Sequence, residues 1–177
     1  MSAKASEPVA VRKGPATVEK IPDTIQIVEF VLGNEHFAID LFDVKEVVEY
    51  TTITKLPNVA PYVRGIIDLR GEITMIIDLK QRLNITDASV LPVESSRIIV
   101  LDETISSLKT GILVDDVTSV STFEGSQVDH TSASVNRDDT SILGIIKRKV
   151  RVRDRETNEL IIWIDIKQLL GDIDASP

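Results

Sequence analysis

Short apolar runs rich in Ile and Val recur along the chain beyond residue 24, and apolar and polar residues alternate at 150–153. The runs end at short polar or Gly-containing turns, which is typical of antiparallel strands. The pattern predicts strands at 25–32, 36–40, 63–69, 73–78, 97–102, 110–114, 117–123, 141–153 and 160–165. Ile and Val supply 43 of the 177 residues, and their stiff side chains favour pleated strands over helices. The sequence therefore predicts an all-β protein.

Several segments do not fit this pattern of apolar strands and short turns. Residues 44–50 fit either a helical turn that leads into a strand or a bulged strand. Residues 56–61 carry two prolines and are predicted to form a loop, as are the polar residues 125–140, and residues 154–159 are predicted to form a turn. Residues 1–23 show no period and are interpreted as a disordered N-terminal tail. A short docking peptide is the alternative for this tail.

The second half of the chain repeats the order of elements found in the first half. Three pairs of segments carry the repeat: Ile76–Leu83 with Trp163–Leu170, Gly65–Ile67 with Gly144–Ile146, and Asp43-Val44 with Asp116-Val117. In each copy a strand ends at an aspartate, Asp78 or Asp165, and a short helical turn follows, the second one capped by Gly171. A carboxylate there can accept hydrogen bonds from free helical N–H groups, so both aspartates are interpreted as caps rather than catalytic groups. Two such units predict two small barrels packed together.

Composition narrows the functional classes. The formal net charge is −8 and the pI about 4.8, which argues against a nucleic-acid binder and favours protein partners. The absence of cysteine excludes disulfides and thiolate metal sites. No apolar run approaches the ~20 residues that span a bilayer, and the N-terminus lacks the apolar core of a secretory signal. We therefore expect a cytoplasmic protein.

No recognised catalytic motif accompanies the strand pattern. The sequence lacks a phosphate-binding Gly-Lys-Ser/Thr loop, a Gly-x-Gly-x-x-Gly turn and a Gly-x-Ser-x-Gly elbow. His36 and His130 have no further ligands at metal-binding spacing. The acidic pairs Asp115-Asp116 and Asp138-Asp139 are interpreted as solvated turn residues, because neighbours in a strand point apart. The sequence predicts no enzyme, metal or cofactor, and an enzyme with an unrecognised site is the contrasting class.

A cluster of six basic residues lies between residues 147 and 155. Its members are Lys147, Arg148, Lys149, Arg151, Arg153 and Arg155. The favoured interpretation is a solvated strand face near Asp154, Glu156 and Glu159, with an extended hairpin arm as an open reading of the strand, and the alternative is a docking edge for an acidic partner. A nucleic-acid adaptor is a third reading, which the absence of interleaved aromatic residues weakens.

The stretch Val63–Gly71 resembles the Gly-x-x-Asn-Leu-Arg-Gly signature of the CheW family of chemotaxis coupling proteins. Further motifs follow in the family's order at Phe30–Gly33, Phe37–Asp40, Val44–Val47, Leu56–Val63, Ile76–Leu79 and Gly111–Val117. The resemblance covers residues 24–170. It has three departures: Asp68 stands where the family has Asn, Met75 stands where Pro is common, and the basic arm at 147–155 is unusually long.

The resemblance implies two SH3-like, five-stranded β-barrels with a pseudo-twofold relation, within one domain at 24–172. The barrel-forming repeats would cover about 24–84 and 96–171, with strands exchanged between the barrels as an open alternative. The implied function is a non-catalytic adaptor that couples chemoreceptor cytoplasmic tips to the regulatory domain of the histidine kinase CheA in receptor arrays. An adaptor of another chemosensory pathway, for pili-based motility or development, is the alternative.

The resemblance also assigns roles to individual positions. The receptor-facing region between the barrels would contain Val44, Glu46, Gly65 and Arg70, joined by Val120 from the second copy, and the kinase-facing surface of the first barrel would contain Val47. Without the resemblance, the three valines would be interpreted as core residues. The sequence also predicts that Glu46 and Arg70 form an ion pair that fixes the docking groove.

Overall fold

The computed structural model describes residues 23–86, 91–130 and 141–175. Its strands are β1 Thr24–Leu32, β2 Glu35–Asp40, β3 Val44–Glu49, β4 Val63–Leu69, β5 Glu72–Asp78, β6 Arg97–Leu101, β7 Thr110–Val114, β8 Asp116–Glu124, β9 Val128–Asp129, β10 Ile142–Val152 and β11 Arg155–Ile164. Its α-helices are α1 Leu79–Arg82 and α2 Ile166–Ala175. The all-β prediction is confirmed. The predicted tail lies outside the described residues except for Asp23.

The first sheet contains six strands in the order β8-β1-β2-β11-β10-β9. Strands β8 and β9 lie at its opposite edges, yet only the 3-10 turn Gly125–Gln127 separates them along the chain. Three residues reach at most about 10 Å, so the two edges must approach each other and the sheet must curl into a barrel. We call this unit the β1 barrel. Strand β9 adds a two-residue sixth strand to the five that were predicted.

The second sheet contains five strands in the order β3-β6-β7-β5-β4. Strands β3 and β4 form its edges, and an isolated bridge from Thr54 to Ile66 lays the connecting segment against β4. We call this unit the β3 barrel, and the place where β3 and β4 face each other its seam.

Each barrel takes strands from both halves of the chain. Strands β1 and β2 join β8 to β11 in one sheet, whereas β6 and β7 join β3 to β5 in the other. In each barrel one junction between the halves is parallel, with His36 opposite Ile161 in one barrel and Ile77 opposite Ile112 in the other. The other junctions, β1 with β8 and β3 with β6, are antiparallel.

Three apolar clusters hold the barrels. Alternation along β1 sends Ile25 and Ile27 into the interior of the β1 barrel, while Val28 and Phe30 face a larger cluster with members from both sheets. The third cluster fills the β3 barrel around residues such as Ile76. The shared cluster makes the two barrels one packed unit.

Both predicted aspartate caps are confirmed. The Gln81 N–H donates to Asp78 Oδ1 at 3.2 Å, and the Gln168 N–H donates to Asp165 Oδ1 at 3.1 Å. These bonds satisfy N–H groups of the first helical turn that have no partner inside the helix. The two copies of the repeat therefore use the same local chemistry at the same place.

Other local predictions need correction. Residues 44–49 form a strand with a register shift between Val44 and Glu46, so the bulged strand is the right alternative. The predicted turn at 154–159 is wrong, because β11 already begins at Arg155 and the turn is Arg153-Asp154, both with positive φ. Gly171 does not cap α2, which continues to Ala175, and space around it is open.

Candidate docking site

The turn between β4 and β5 carries the predicted docking arginine. Arg70 and Gly71 have φ values of 52° and 83°, and two positive φ values are typical of the two-residue turns that match the twist of antiparallel strands. The Gly71 N–H donates to Asp68 Oδ1 at 2.8 Å. An Asn side chain offers the same oxygen, so the Asp68 departure preserves this bond and adds a negative charge next to the turn.

Glu46 of β3 accepts a hydrogen bond from the Arg70 guanidinium, so the predicted ion pair is confirmed. In a flat sheet, four strand spacings of about 4.8 Å would separate the two edge strands. The pair therefore spans the closed seam of the β3 barrel. The Arg70 side chain is 69% exposed and that of Glu46 25%, so the pair stabilises the fold by at most about 1 kcal/mol. Its main effect is to fix the guanidinium at the surface.

Gly65 allows the backbone of Thr54 to approach β4 closely beside the seam. Its φ is +144°, and a Cβ placed there would lie 2.1 Å from the Thr54 carbonyl oxygen. Thr54 and Ile66 exchange two backbone hydrogen bonds of 2.9 Å, which draw the connecting segment across β4 at this point. Because Gly65 is buried, it offers a partner no surface of its own and supports the site only through backbone geometry.

The return strand shows why Met75 fits where proline was expected from the resemblance. The Met75 N–H donates to the Lys109 carbonyl oxygen at 2.9 Å. Proline has no N–H and could not make this bond between β5 and the start of β7. The departure therefore adds one hydrogen bond to the sheet and leaves β5 regular through Asp78.

Val47 and Val120 occupy equivalent places in the two repeats, since the repeat that aligns Asp43 with Asp116 also aligns these valines. They lie on the edge strands β3 and β8, with 41% and 62% of their surface exposed. The interpretation of both as core residues is wrong. Val44 differs, because it is half-buried and packs against the cluster shared by the barrels.

The structure gathers only part of the predicted site. Glu46 and Arg70 are in contact across the seam, and Val44 and Gly65 lie on the same two edge strands. Val120 belongs to the β1 barrel, where it lies opposite Val28 of the shared cluster against which Val44 also packs. The candidate docking site therefore consists of the β3-barrel seam and an exposed valine on β8 of the other barrel.

A shallow pocket of about 160 Å³ opens beside the Glu46–Arg70 pair. Lys109 pairs there with Glu72 and Glu103, and the hydrogen bond from Lys109 holds the pKa of the Glu72 carboxyl below its usual value. The same bond raises the pKa of Lys109. Both shifts favour the charged forms, whereas a general acid or base needs a pKa near the working pH. The pocket is therefore lined by an ion-pair network in which the charged forms of Lys109 and Glu72 are favoured.

A closed ring of four charged or titratable side chains lies inside the β1 barrel, and sequence reasoning missed it. Arg148 donates to both carboxylate oxygens of Glu29, at 2.8 and 2.9 Å, and also to Glu159. The two nitrogens of His36 lie 3.1 Å from Glu29 and from Glu159. Ser119 of β8 donates to Glu29 at 3.2 Å. Strands β1, β2, β8, β10 and β11 each contribute one side chain to this cluster.

Glu29 is the buried member of the ring, with 1% of its surface exposed. Burial pushes the pKa of this carboxyl upward, but hydrogen bonds and charge from Arg148, with further hydrogen bonds from Ser119 and His36, bring it below its usual value. The hydrogen bond to Glu29 raises the pKa of the Arg148 guanidinium. The pattern of alternation holds a signal for this ring, because Glu29 shares the inward phase of Ile25 and Ile27.

The remaining predicted polar positions have structural partners. Asp115 accepts from the Gly33 N–H at 2.6 Å and pairs with Lys80 at 2.7 Å, while Asp138-Asp139 lies outside the described residues. His130 lies 2.9 Å from the Leu143 carbonyl oxygen. Within the described ranges, no group of three or more His, Asp or Glu side chains could hold a metal ion. No helix in those ranges is long and apolar enough to cross a membrane.

The fold and the site define a class of protein: a pair of interlocked β-barrels that presents a fixed arginine and exposed valines at barrel edges. Rigid strands that display such groups are suited to docking with other proteins.

Comparison with known proteins identifies the family. A family model described as the CheW-like domain matches residues 26–174. The chemotaxis protein CheW of Bacillus subtilis is 30% identical over 128 residues, which are 72% of this chain and 80% of that protein. The CheW of Klebsiella aerogenes is 34% identical over 118 residues, which are 65% and 69% of the two chains.

A solved structure agrees with this assignment. The crystal structure of the scaffolding protein TtCheW from Thermoanaerobacter tengcongensis is 33% identical, with a TM-score of 0.66, and the match covers 82% of this chain and 92% of that one. This chain belongs to the CheW family of non-catalytic chemotaxis scaffold proteins.

Proposed function

We propose that this chain couples chemoreceptor cytoplasmic tips to the regulatory domain of the histidine kinase CheA in chemotaxis. In this role it works on the cytoplasmic side of the membrane, within receptor arrays that it joins through its partners. The observation that carries the proposal is the Glu46–Arg70 pair, which holds an exposed guanidinium across the seam of the β3 barrel.

The seam suits receptor binding for a physical reason. Arginine presents five donors in a planar fork, and Glu46 and the two-residue turn fix the orientation of that fork before a partner arrives. A side chain that is already ordered loses less conformational entropy on binding. Val44 and Gly65 support this surface from β3 and β4, and Val120 adds a receptor contact from β8.

Val47 is the proposed contact with the kinase. It is exposed on β3, whose one partner strand among the described residues is β6. An exposed valine on an edge strand offers apolar surface that a partner can bury. Its equivalent in the other barrel, Val120, is exposed in the same way and is assigned to the receptor, so the two valines give separate tests of the two partners.

Charge reversal tests the proposal directly. Binding of a purified receptor tip fragment and of purified CheA regulatory domain is measured for wild type, Arg70→Glu, Glu46→Arg and the double variant. We expect Arg70→Glu to weaken receptor binding at least about tenfold, because it replaces the guanidinium and repels Glu46. If the pair matters for geometry, the double variant binds receptor better than either single variant.

Arg155→Glu is the matched control, since it reverses one exposed arginine at the start of β11 in the other barrel. Val47→Asp should weaken binding of the CheA domain and leave the receptor fragment bound. The proposal is wrong if wild type binds neither fragment, or if Arg70→Glu binds the receptor fragment as tightly as Arg155→Glu does.

A further inference from the structure

The hairpin of β10 and β11 extends beyond the β1 barrel as a two-stranded ribbon. Strand β9 pairs with β10 only at Ile145 and Ile146, and β2 pairs with β11 only at 161–163. The β10–β11 pairing itself continues to Val152 opposite Arg155. Residues 149–158 therefore have each other as their only ladder partners in the described part of the chain, and both outer edges of this ribbon are open.

One face of the ribbon carries a ladder of cations. Lys147, Lys149 and Arg151 occupy alternate positions of β10, so their side chains point to the same side at intervals of about 6.8 Å. Their register partners on β11 are Leu160, Asn158 and Glu156. Lys147 lies 3.5 Å from Asp129, whereas no ion pair joins Lys149 or Arg151 to another described residue. This ladder is positive on a chain whose formal net charge is −8.

The opposite face fixes the root of the ribbon. Arg148 lies between Lys147 and Lys149 and points into the barrel, where Glu29 and Glu159 hold it. An isolated two-stranded hairpin is at best marginally stable in water. The buried anchor and the type of turn at Arg153-Asp154 therefore keep the ribbon ordered and set its direction.

We propose that the open edge of β10 in this ribbon is a docking edge for an extended, acidic protein segment, which adds as a further strand. Main-chain hydrogen bonds would supply the pairing, and carboxylates at every second residue would meet the cation ladder. Two copies of this chain would set like charges opposite each other, which disfavours pairing of ribbon with ribbon. This surface is separate from the proposed receptor and kinase site at the β3-barrel seam.

A designed peptide tests the docking edge on the full chain. The probe is a nine-residue peptide with Glu at alternate positions and Thr or Val between them, and the matched peptide carries Gln in place of Glu. NMR titration of labelled protein should show the largest shift changes at residues 147–152 with the Glu peptide and weaker binding of the Gln peptide. The variant Lys149→Glu/Arg151→Glu should weaken Glu-peptide binding about tenfold or more.

The control variant Lys55→Glu/Lys167→Glu makes the same change of net charge at exposed positions outside the ribbon, and should bind the Glu peptide within about twofold of wild type. Arg70→Glu should also keep peptide binding, which separates this test from that of the seam. The proposal is overturned if wild type does not bind the Glu peptide, if both double variants lose binding equally, or if duplex DNA or phosphatidylserine vesicles compete the peptide away from residues 147–152.

Discussion

The two barrels each place a glutamate against an arginine, and the two pairs differ in burial. In the β1 barrel, Glu29 is 1% exposed and Arg148 approaches it with two hydrogen bonds. In the β3 barrel, Arg70 lies largely in solvent and reaches Glu46 across the seam. The same two residue types therefore serve as an internal anchor in one barrel and as a surface feature in the other.

The repeat shows how this difference is built. The alignment that pairs Val47 with Val120 also pairs Glu46 with Ser119, and Ser119 donates to the buried Glu29. At equivalent positions, one copy has a carboxylate that meets an exposed cation, and the other has a hydroxyl that supports an internal carboxylate. Ionic contacts of similar geometry should therefore differ widely in their effect on stability.

Substitutions at Gly65 and Gly144, which the repeat aligns, should produce the largest losses in the free energy of unfolding and should differ from each other. Gly65→Ala would force a Cβ against a backbone oxygen at 2.1 Å and a strained φ of +144°, so we expect a loss of about 3 kcal/mol or more in the free energy of unfolding. Gly144→Ala meets a side-chain carbon of Val128 at 2.6 Å and the Asp129 carbonyl oxygen at 3.1 Å, and should cost about 1–2 kcal/mol. Urea unfolding of both variants checks the order, and a smaller loss for Gly65→Ala would contradict it.

Removing the charge of Glu29 should give the next largest loss in the free energy of unfolding. Glu29→Gln leaves Arg148 with Glu159 alone, and we expect a loss of about 2–3 kcal/mol in the free energy of unfolding at pH 7. Because the folded-state pKa of Glu29 is below the usual 4.5, its stabilisation is fully present above that pH and lost as the pH falls through the lowered value. The difference between wild type and variant should thus be constant from pH 6 to 8 and shrink below pH 4.5. A difference that persists unchanged to pH 2 would contradict the assignment.

Removing the exposed arginine should affect stability far less. Arg70→Ala deletes a pair that is mostly solvated, so we expect a change below about 1 kcal/mol in the free energy of unfolding. Arg148→Ala in the buried pair should exceed it severalfold, and urea unfolding of the two variants measures both. Equal losses in the free energy of unfolding would show that burial does not make the Glu29–Arg148 pair more stabilising than the Glu46–Arg70 pair.

The smallest expected effect is a gain in stability, in contrast to the losses predicted above. Burial, with the nearby carboxylates of Asp40, Asp165 and Asp102, raises the pKa of Asp43 from 3.8 to about 6. Ionised Asp43 therefore destabilises the fold above about pH 6, and this penalty is absent below pH 3.8. Asp43→Asn should raise the melting temperature by about 1–3 °C at pH 7.5 and leave it nearly unchanged at pH 3.5.

Glu72→Gln is the contrasting variant. The hydrogen bond from Lys109 holds the pKa of the Glu72 carboxyl below its usual value. The charged form of Glu72 is thus favoured in the fold, and its loss should lower the melting temperature at pH 7.5. Shifts of the same sign in both variants would contradict the assigned environments.

Local chemistry was predictable from the sequence, and long-range pairing was not. The caps at Asp78 and Asp165 depend on atoms three residues away. The two aspartates occupy the same position in both copies of the repeat, which made them easy to identify. The buried position of Glu29 was missed, although Glu29 lies on the same face of β1 as Ile25 and Ile27. Its partner Arg148 lies 119 positions along the chain, and nothing in the alternation says which distant strand carries the matching charge.

Two boundary errors have equally physical causes. The turn Arg153-Asp154 adopts positive φ without the Asn or Gly that usually marks such a turn, so the sequence pattern points to the polar residues after it instead. Gly171 sits on an open surface of α2, where glycine costs about 1 kcal/mol but does not end a helix. For the docking site, the resemblance to the family supplied the residues, and the closure of the barrel explains why Glu46 and Arg70 meet.

The exchange of strands between the barrels sets an order of assembly during synthesis. Strand β2 waits for β11, since His36 pairs with Ile161 near the far end of the described chain. Until β11 has been made, β2 keeps one open edge, although β1 already has β2 and β8 as neighbours. Contacts this distant in sequence are slow to form, and an open strand edge can pair with other chains. The interlocked architecture thus leaves the β1 barrel incomplete until β11 joins β2.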